Sequence, residues 1–220
     1  NGNYLIYDNP QVPTDDCRML EITRDDGIID VSSPLSQKLI LGSADNFGSS
    51  LIFNEKLYGV GRFTNGSGLE KARLALSQID LSTGNVDWTR LSHIPPGQPA
   101  RLIGVDLLVE DNHIISIGYG SEIDDNLSNS QIFLQKNTLD GEIVWIKRFN
   151  IPEAFSEASD EIVSVPDGFI LYGRDRAVPS DLYLLKTDKD GVLQWSKKID
   201  YGFNDFVSAV SHFQSQILVK

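Results

Sequence analysis

Short apolar runs recur along the chain and are close to continuous: "VDLLV" at 105–109, "HIISIG" at 113–118, "FILYG" at 169–173 and "LYLL" at 182–185. A strand wetted on one face alternates apolar and polar residues, whereas a strand covered on both faces does not. Between residues 105 and 147 the pattern predicts four strands: Val105–Val109, Ile114–Gly118, Gln131–Lys136 and Glu142–Lys147. Two segments pull toward helix. "GLEKARLALSQ", Gly68 to Gln78, has good local helix propensity, but its second half falls in phase with a third strand and is read as one. "EAFSEASDE", Glu153 to Glu161, reads as a helical turn inside a loop.

The strands repeat. Turn glycines stand at Gly27, Gly84, Gly141 and Gly191, spaced 57, 57 and 50 residues apart, in "RDDG", "LSTG", "TLDG" and "DKDG". Four residues after each come Val31, Trp88, Trp145 and Trp195, which include all 3 tryptophans. A second series, Gly61, Gly118 and Gly173, runs in phase, with Asp8 of "NYLIYD" in the equivalent place of the first copy. A turn glycine supplies the positive φ that closes a short hairpin loop. Four antiparallel strands per repeat predict an all-β chain, a β-propeller of four-stranded antiparallel blades with about four repeats of 50–57 residues. The units fall at 1–48, 49–104, 105–160 and 161–205, with a partial one at 206–220. First and last units overlap by one strand, and the expectation is a piece of a larger propeller. Trp88, Trp145 and Trp195 are expected to wedge each blade against the next, each indole N–H on a backbone carbonyl.

"QIDLSTGNVDW" resembles the repeat of the quinoprotein-like (PQQ-like) propellers, whose docking motif has the form A-x-D-x-x-T-G-x-x-x-W. Asp80, Thr83, Gly84 and Trp88 match it, and Gln78 stands in the Ala place. "KNTLDGEIVW" and "KTDKDGVLQW" keep the Gly-to-Trp spacing without the Thr. The sialidase-type Asp box, S-x-D-x-G-x-x-W, is one residue shorter and is discounted. The resemblance implies either a cofactor-dependent dehydrogenase or a non-catalytic scaffold. The dehydrogenases carry a vicinal Cys pair and an axial calcium. Cys17 is alone here, so the resemblance implies the non-catalytic branch.

Charge narrows the partners. Lys+Arg 19 against Asp+Glu 31 leaves a net charge of -12, which repels nucleic acid and anionic lipid. No apolar run approaches the roughly 18 residues of a membrane span. Asn1 in place of a Met reads as a processed or truncated form. The single cysteine fits a bacterial protein that is extracellular, on the cell surface or periplasmic.

The short turns share one rim and the long connections share the other. Long loops on a rigid frame are where binding residues gather. Glu122, Asp124 and Asp125 cluster in one such loop, Asp15 and Asp16 in its counterpart, with Tyr119 and Phe63 beside them. The reading is a non-catalytic binding or scaffolding propeller that takes a protein partner on its long-loop face. The alternative is a carbohydrate-binding or carbohydrate-active propeller using those acids. No catalytic set is assigned. No cofactor is expected beyond calcium, which loop carboxylates can ligate. His93, His113 and His212 are scattered and form no metal pair.

Overall fold

Asn54 and Glu55 both take positive φ, 49° and 61°, and so do Asp111 and Asn112, 49° and 57°. These are the two-residue turns whose twist suits a tight hairpin. They belong to a computed structural model of the chain, described here over residues 4–8, 18–22, 46–63, 70–92, 100–121, 130–150, 157–175, 181–200, 202, 210–213 and 216–219. Every regular element among the described residues is a strand.

Three complete four-stranded antiparallel meanders follow one another. The first is β3 (Asn46–Phe53), β4 (Lys56–Phe63), β5 (Glu70–Asp80) and β6 (Val86–Leu91). The second is β7 (Ala100–Glu110), β8 (His113–Ser121), β9 (Gln131–Thr138) and β10 (Ile143–Phe149). The third is β11 (Glu157–Val165), β12 (Gly168–Asp175), β13 (Leu182–Thr187) and β14 (Leu193–Ile199). Two hairpins flank them, β1 (Tyr4–Asp8) with β2 (Arg18–Ile22) and β15 (Val210–Phe213) with β16 (Gln216–Val219). A short parallel pairing, Glu70 with Ala100 and Ala72 with Arg101, ties β5 to β7. The repeat pattern carries no sign of it. It arises because both strands run on for 11 residues toward the long-loop rim.

β5 covers the segment with helix propensity: its Leu74, Leu76 and Ile79 are all buried, and tertiary burial outweighs local preference. The expected helical turn over Glu153 to Glu161 is corrected in its second half. Glu157 to Glu161 open β11, paired with β12 through Glu157–Asp175 and Glu161–Tyr172; residues 151–156 lie outside the described set.

Side-chain parity explains the continuous apolar runs. Ile115, Ile117, Ile132 and Leu134 of the second sheet face Phe169, Leu171, Tyr183 and Leu185 of the third. Ile114 and Phe133, of opposite parity, face back onto Tyr58, Val60, Leu74 and Leu76 of the first. Each middle strand is therefore buried on both faces. The first strand of each sheet packs across the preceding one: β7 on β3, β4 and β5, and β11 on β7, β8 and β9. β15 in turn packs on β11. The first strands thus form one inner row. At Gly48 of β3 the neighbouring backbone comes so close that a Cβ would stand 2.6 Å from the Gly104 and Val105 carbonyl oxygens.

The third-to-fourth-strand turns are built alike. Gly84, Gly141 and Gly191 have φ of 71°, 83° and 73°. An oxygen at the turn's start holds each one. Asp80 Oδ1 accepts from the Ser82 and Thr83 amides at 2.8 and 3.0 Å, and Asp188 Oδ1 from the Asp190 and Val192 amides at 3.0 and 2.8 Å. Thr138 Oγ1 accepts from the Glu142 amide at 3.1 Å.

The indoles reach forward. Trp88 of the first sheet lies on the Gly141 turn of the second, and Trp145 of the second on the Gly191 turn of the third. A Cβ at either glycine would meet an indole carbon at 2.8 Å. The expected indole hydrogen bond is corrected here. The buried Trp88 Nε1 has no hydrogen-bond partner among the described residues, and the side chain packs against the apolar cluster that includes Tyr58. Trp195 is 41% exposed, since among the described residues no turn lies against it.

Candidate functional site

Only part of the expected site falls among the described residues. Phe63 ends β4 and Tyr119 lies near the end of β8; both are half-buried. Tyr119 sits between Ile103 and Ile132 in the ladder, and Phe63 opposite Arg73. Glu122, Asp124, Asp125, Asp15 and Asp16 lie outside the described residues.

A different constellation stands on the inner row. Each first strand carries a β-bulge at the same register: between Phe47 and Ser49 on β3, Gly104 and Asp106 on β7, Ser159 and Glu161 on β11. A bulge kinks the strand and re-aims the side chain that follows it, a device common beside active sites. The residues that follow are Ser49, Asp106 and Glu161, one polar group on each of three successive sheets.

Asp106 joins them. Its Oδ2 accepts from the Ile162 amide of β11 at 3.1 Å. The Ser49 hydroxyl of β3 and its neighbour's amide, Leu107, also donate to it. Burial is nonetheless the largest influence and pushes the Asp106 carboxyl up from the usual range, with the Glu161 charge adding to the rise. Asp160, the bulged residue of β11, is likewise pushed up by burial, and Arg174 at 3.6 Å offsets part of that. Glu161 accepts from the Tyr172 hydroxyl. Burial first, and that hydrogen bond second, raise the Tyr172 phenol far above its ordinary value, with the charges of Asp160 and Asp106 adding.

The row therefore sets two carboxyls whose pKa burial raises beside a third that accepts a phenol hydroxyl. Carboxyl groups in such unlike surroundings can donate and accept at one place, which is what acid–base work and polyhydroxyl recognition require. No group of three or more metal-ligating side chains forms among the described residues. The sequence held the clue to this row: "SSLIF", "VDLLV" and "EIVSV" each place a polar residue at the same point of an apolar strand.

No sequence family and no curated protein matches this chain. Solved structures do. An α-L-arabinofuranosidase from Clostridium thermocellum is similar over 100% of this chain and 78% of its own, with a TM-score of 0.50 and 18% identity. A subtype N10 neuraminidase-like protein of the strain A/little yellow-shouldered bat/Guatemala is similar over 90% of this chain, with a TM-score of 0.48 and 12% identity. This chain spans 58% of that protein's length, under two thirds. Both are β-propellers. The likeness to the arabinofuranosidase establishes the fold alone: an all-β, propeller-type succession of antiparallel sheets.

Proposed function

We propose that this chain is a carbohydrate-recognising propeller module whose site is the polar row of Ser49, Asp106, Asp160 and Glu161. The observation that carries it is Asp106, a partly buried carboxyl tied by hydrogen bonds to the sheets on both sides. A sugar presents neighbouring hydroxyls that each donate and accept. Carboxyl oxygens accept from such hydroxyls, and several carboxyls side by side can answer neighbouring hydroxyls of one ring. A pairing of unlike carboxyls serves glycoside cleavage, one as acid and one as base or nucleophile. Tyr172 and Arg174 fix the carboxyls in place. The loop acids Glu122, Asp124 and Asp125, with Tyr119 and Phe63, would shape the rim above. The arabinofuranosidase of like fold is carbohydrate-active by name, which agrees with this class.

A glycan array probed with the wild-type chain and with Asp106→Asn and Glu161→Gln tests the reading. Binding that both substitutions abolish, with the far-ultraviolet spectrum unchanged, supports it. Binding that survives both but fails in Asp124→Asn with Asp125→Asn moves the site to the loops. An array with no bound glycan overturns the carbohydrate reading and leaves a protein partner on the long-loop face as the one to pursue.

A further inference from the structure

We infer that the sugar taken by the inner row carries a free amine, seated with its ammonium among Asp106, Asp160 and Glu161 and a neighbouring hydroxyl on Ser159. The inference rests on the carbohydrate reading above and narrows it to amino sugars.

Charge is the first reason. The cation paired with the row is Arg174, 3.6 Å from Asp160. The groups that hold Asp106 down are neutral donors, the Ser49 hydroxyl and the Ile162 and Leu107 amides. Glu161 is close enough that its charge raises Asp106 further, and the charges of Asp160 and Asp106 both reach Tyr172. Carboxyls that raise one another are short of a cation. A ligand ammonium supplies it, with N–H donors that make charge-assisted bonds to carboxylate oxygens. The same field repels a uronic or sialic acid, and the net charge of -12 over the chain adds to that repulsion at long range.

The second reason is a hydroxyl with nothing to bond. Ser159 is 1% exposed, and its Oγ has no hydrogen-bond partner among the described residues. Opposed residues of a ladder share a face, and alternate residues of a strand do too. Ser159 stands opposite Gly173, on the side of the third sheet that carries Leu171 and Phe169 into the second. Asp106 stands opposite Ile117, on the side of the second sheet that meets them. Both side chains therefore enter one seam, at the edge where the first strands lie. A buried hydroxyl without a partner costs stability, and a ligand hydroxyl on Ser159 removes that cost.

The two needs name the class. A water satisfies a hydroxyl but does not neutralise neighbouring carboxylates. A simple cation does the reverse. A sugar ring with a free amine beside its hydroxyls meets both at once, whereas an acetylated amine brings the hydroxyls without the charge.

Isothermal titration calorimetry of the whole chain tests this at about pH 6, where the probe amine is protonated. The probes are tetrasaccharides of glucosamine, of N-acetylglucosamine and of galacturonic acid, with spermidine as an amine that is not a sugar. The glucosamine oligomer is expected to bind about tenfold tighter than its acetylated form, and the galacturonate not at all. Glu161→Gln and Asp106→Asn should each remove that advantage, and Ser159→Ala should weaken the glucosamine oligomer while leaving spermidine as it was. Spermidine bound as tightly as the glucosamine oligomer would mean attraction to an acidic surface and overturns the inference. An advantage that survives both carboxyl substitutions, or a preference for galacturonate, overturns it too. Free and acetylated oligomers bound alike through Asp106 overturn the amine while leaving the carbohydrate reading in place; no bound oligomer beside a bare glycan array overturns both. Should Asp106→Asn fail to fold, Glu161→Gln and the wild-type ratio decide.

Discussion

Trp88 closes over Gly141 of the following sheet, so that a single added carbon at the glycine would lie 2.8 Å from Trp88 Cζ3. The glycine meets two demands at once, a φ of 83° and a place for the indole.

Gly141→Ala is therefore expected to destabilise by about 2–5 kcal/mol: roughly 1–2 for the left-handed backbone and about 1–3 for overpacking. Urea unfolding at neutral pH measures it. Gly202, also at positive φ (81°) but with nothing within 4 Å of its would-be Cβ, serves as the comparison, and its Ala variant is expected to lose only the backbone share.

The two parts of a junction should fail together rather than separately. Trp145→Ala removes the ring that Gly191 accommodates, so Gly191→Ala should cost less in that background than in the wild type. A coupling energy on the order of 1–2 kcal/mol is expected from the double-mutant cycle. Strict additivity would show that the ring and the glycine do not press on one another.

The inner carboxyls give stability a pH signature. Asp106 and Asp160 have folded pKa values raised above their unfolded ones. Such groups contribute stability that is full below the unfolded carboxylate range and is lost as pH rises through the folded value. Asp106→Asn removes one of them. Its stability relative to wild type should therefore improve between pH 4 and pH 7. A difference that stays flat across that window would count against a raised Asp106 pKa.

The Asp80 turn should respond in the opposite sense. Lys56 at 2.5 Å, and then Ser82, hold the Asp80 carboxyl well below the usual range. Its contribution is present above the unfolded pKa and lost as pH falls through the depressed one. Lys56 in turn is pushed up to about 12, first by Asp80 and then by Asp87 at 2.9 Å. Its share is present below the unfolded lysine value and lost as pH rises through about 12. Asp80→Asn is expected to lower the thermal midpoint at pH 7 and to leave it unchanged in strong acid, where the wild-type carboxyl is protonated as well.

The strands were legible because their apolar runs and turn glycines repeat in phase. That phase also decided correctly against local propensity at Glu70–Asp80. The inner row was not singled out. Ser49 and Glu161 stand among other polar residues of β3 and β11, Asp106 is a single acid in an apolar run of β7, and the acids of the loops are denser than any of these. What gathers the three is a bulge, which depends on backbone pairing and leaves no composition behind. The parallel tie between β5 and β7 is likewise a product of strand length rather than of any motif. The N–H of Trp88 has no sequence signal of its own, and in the fold it is buried without a partner among the described residues.

The forward reach of Trp88 and Trp145 gives the described sheets a polarity, with the second sheet both giving an indole and taking one. Since Trp88 and Trp145 use the same fittings, a whole unit gained or lost between two others would leave both remaining couplings intact. Duplication in such a chain preserves its joints, and length can drift by complete units while the sequence at each joint stays fixed.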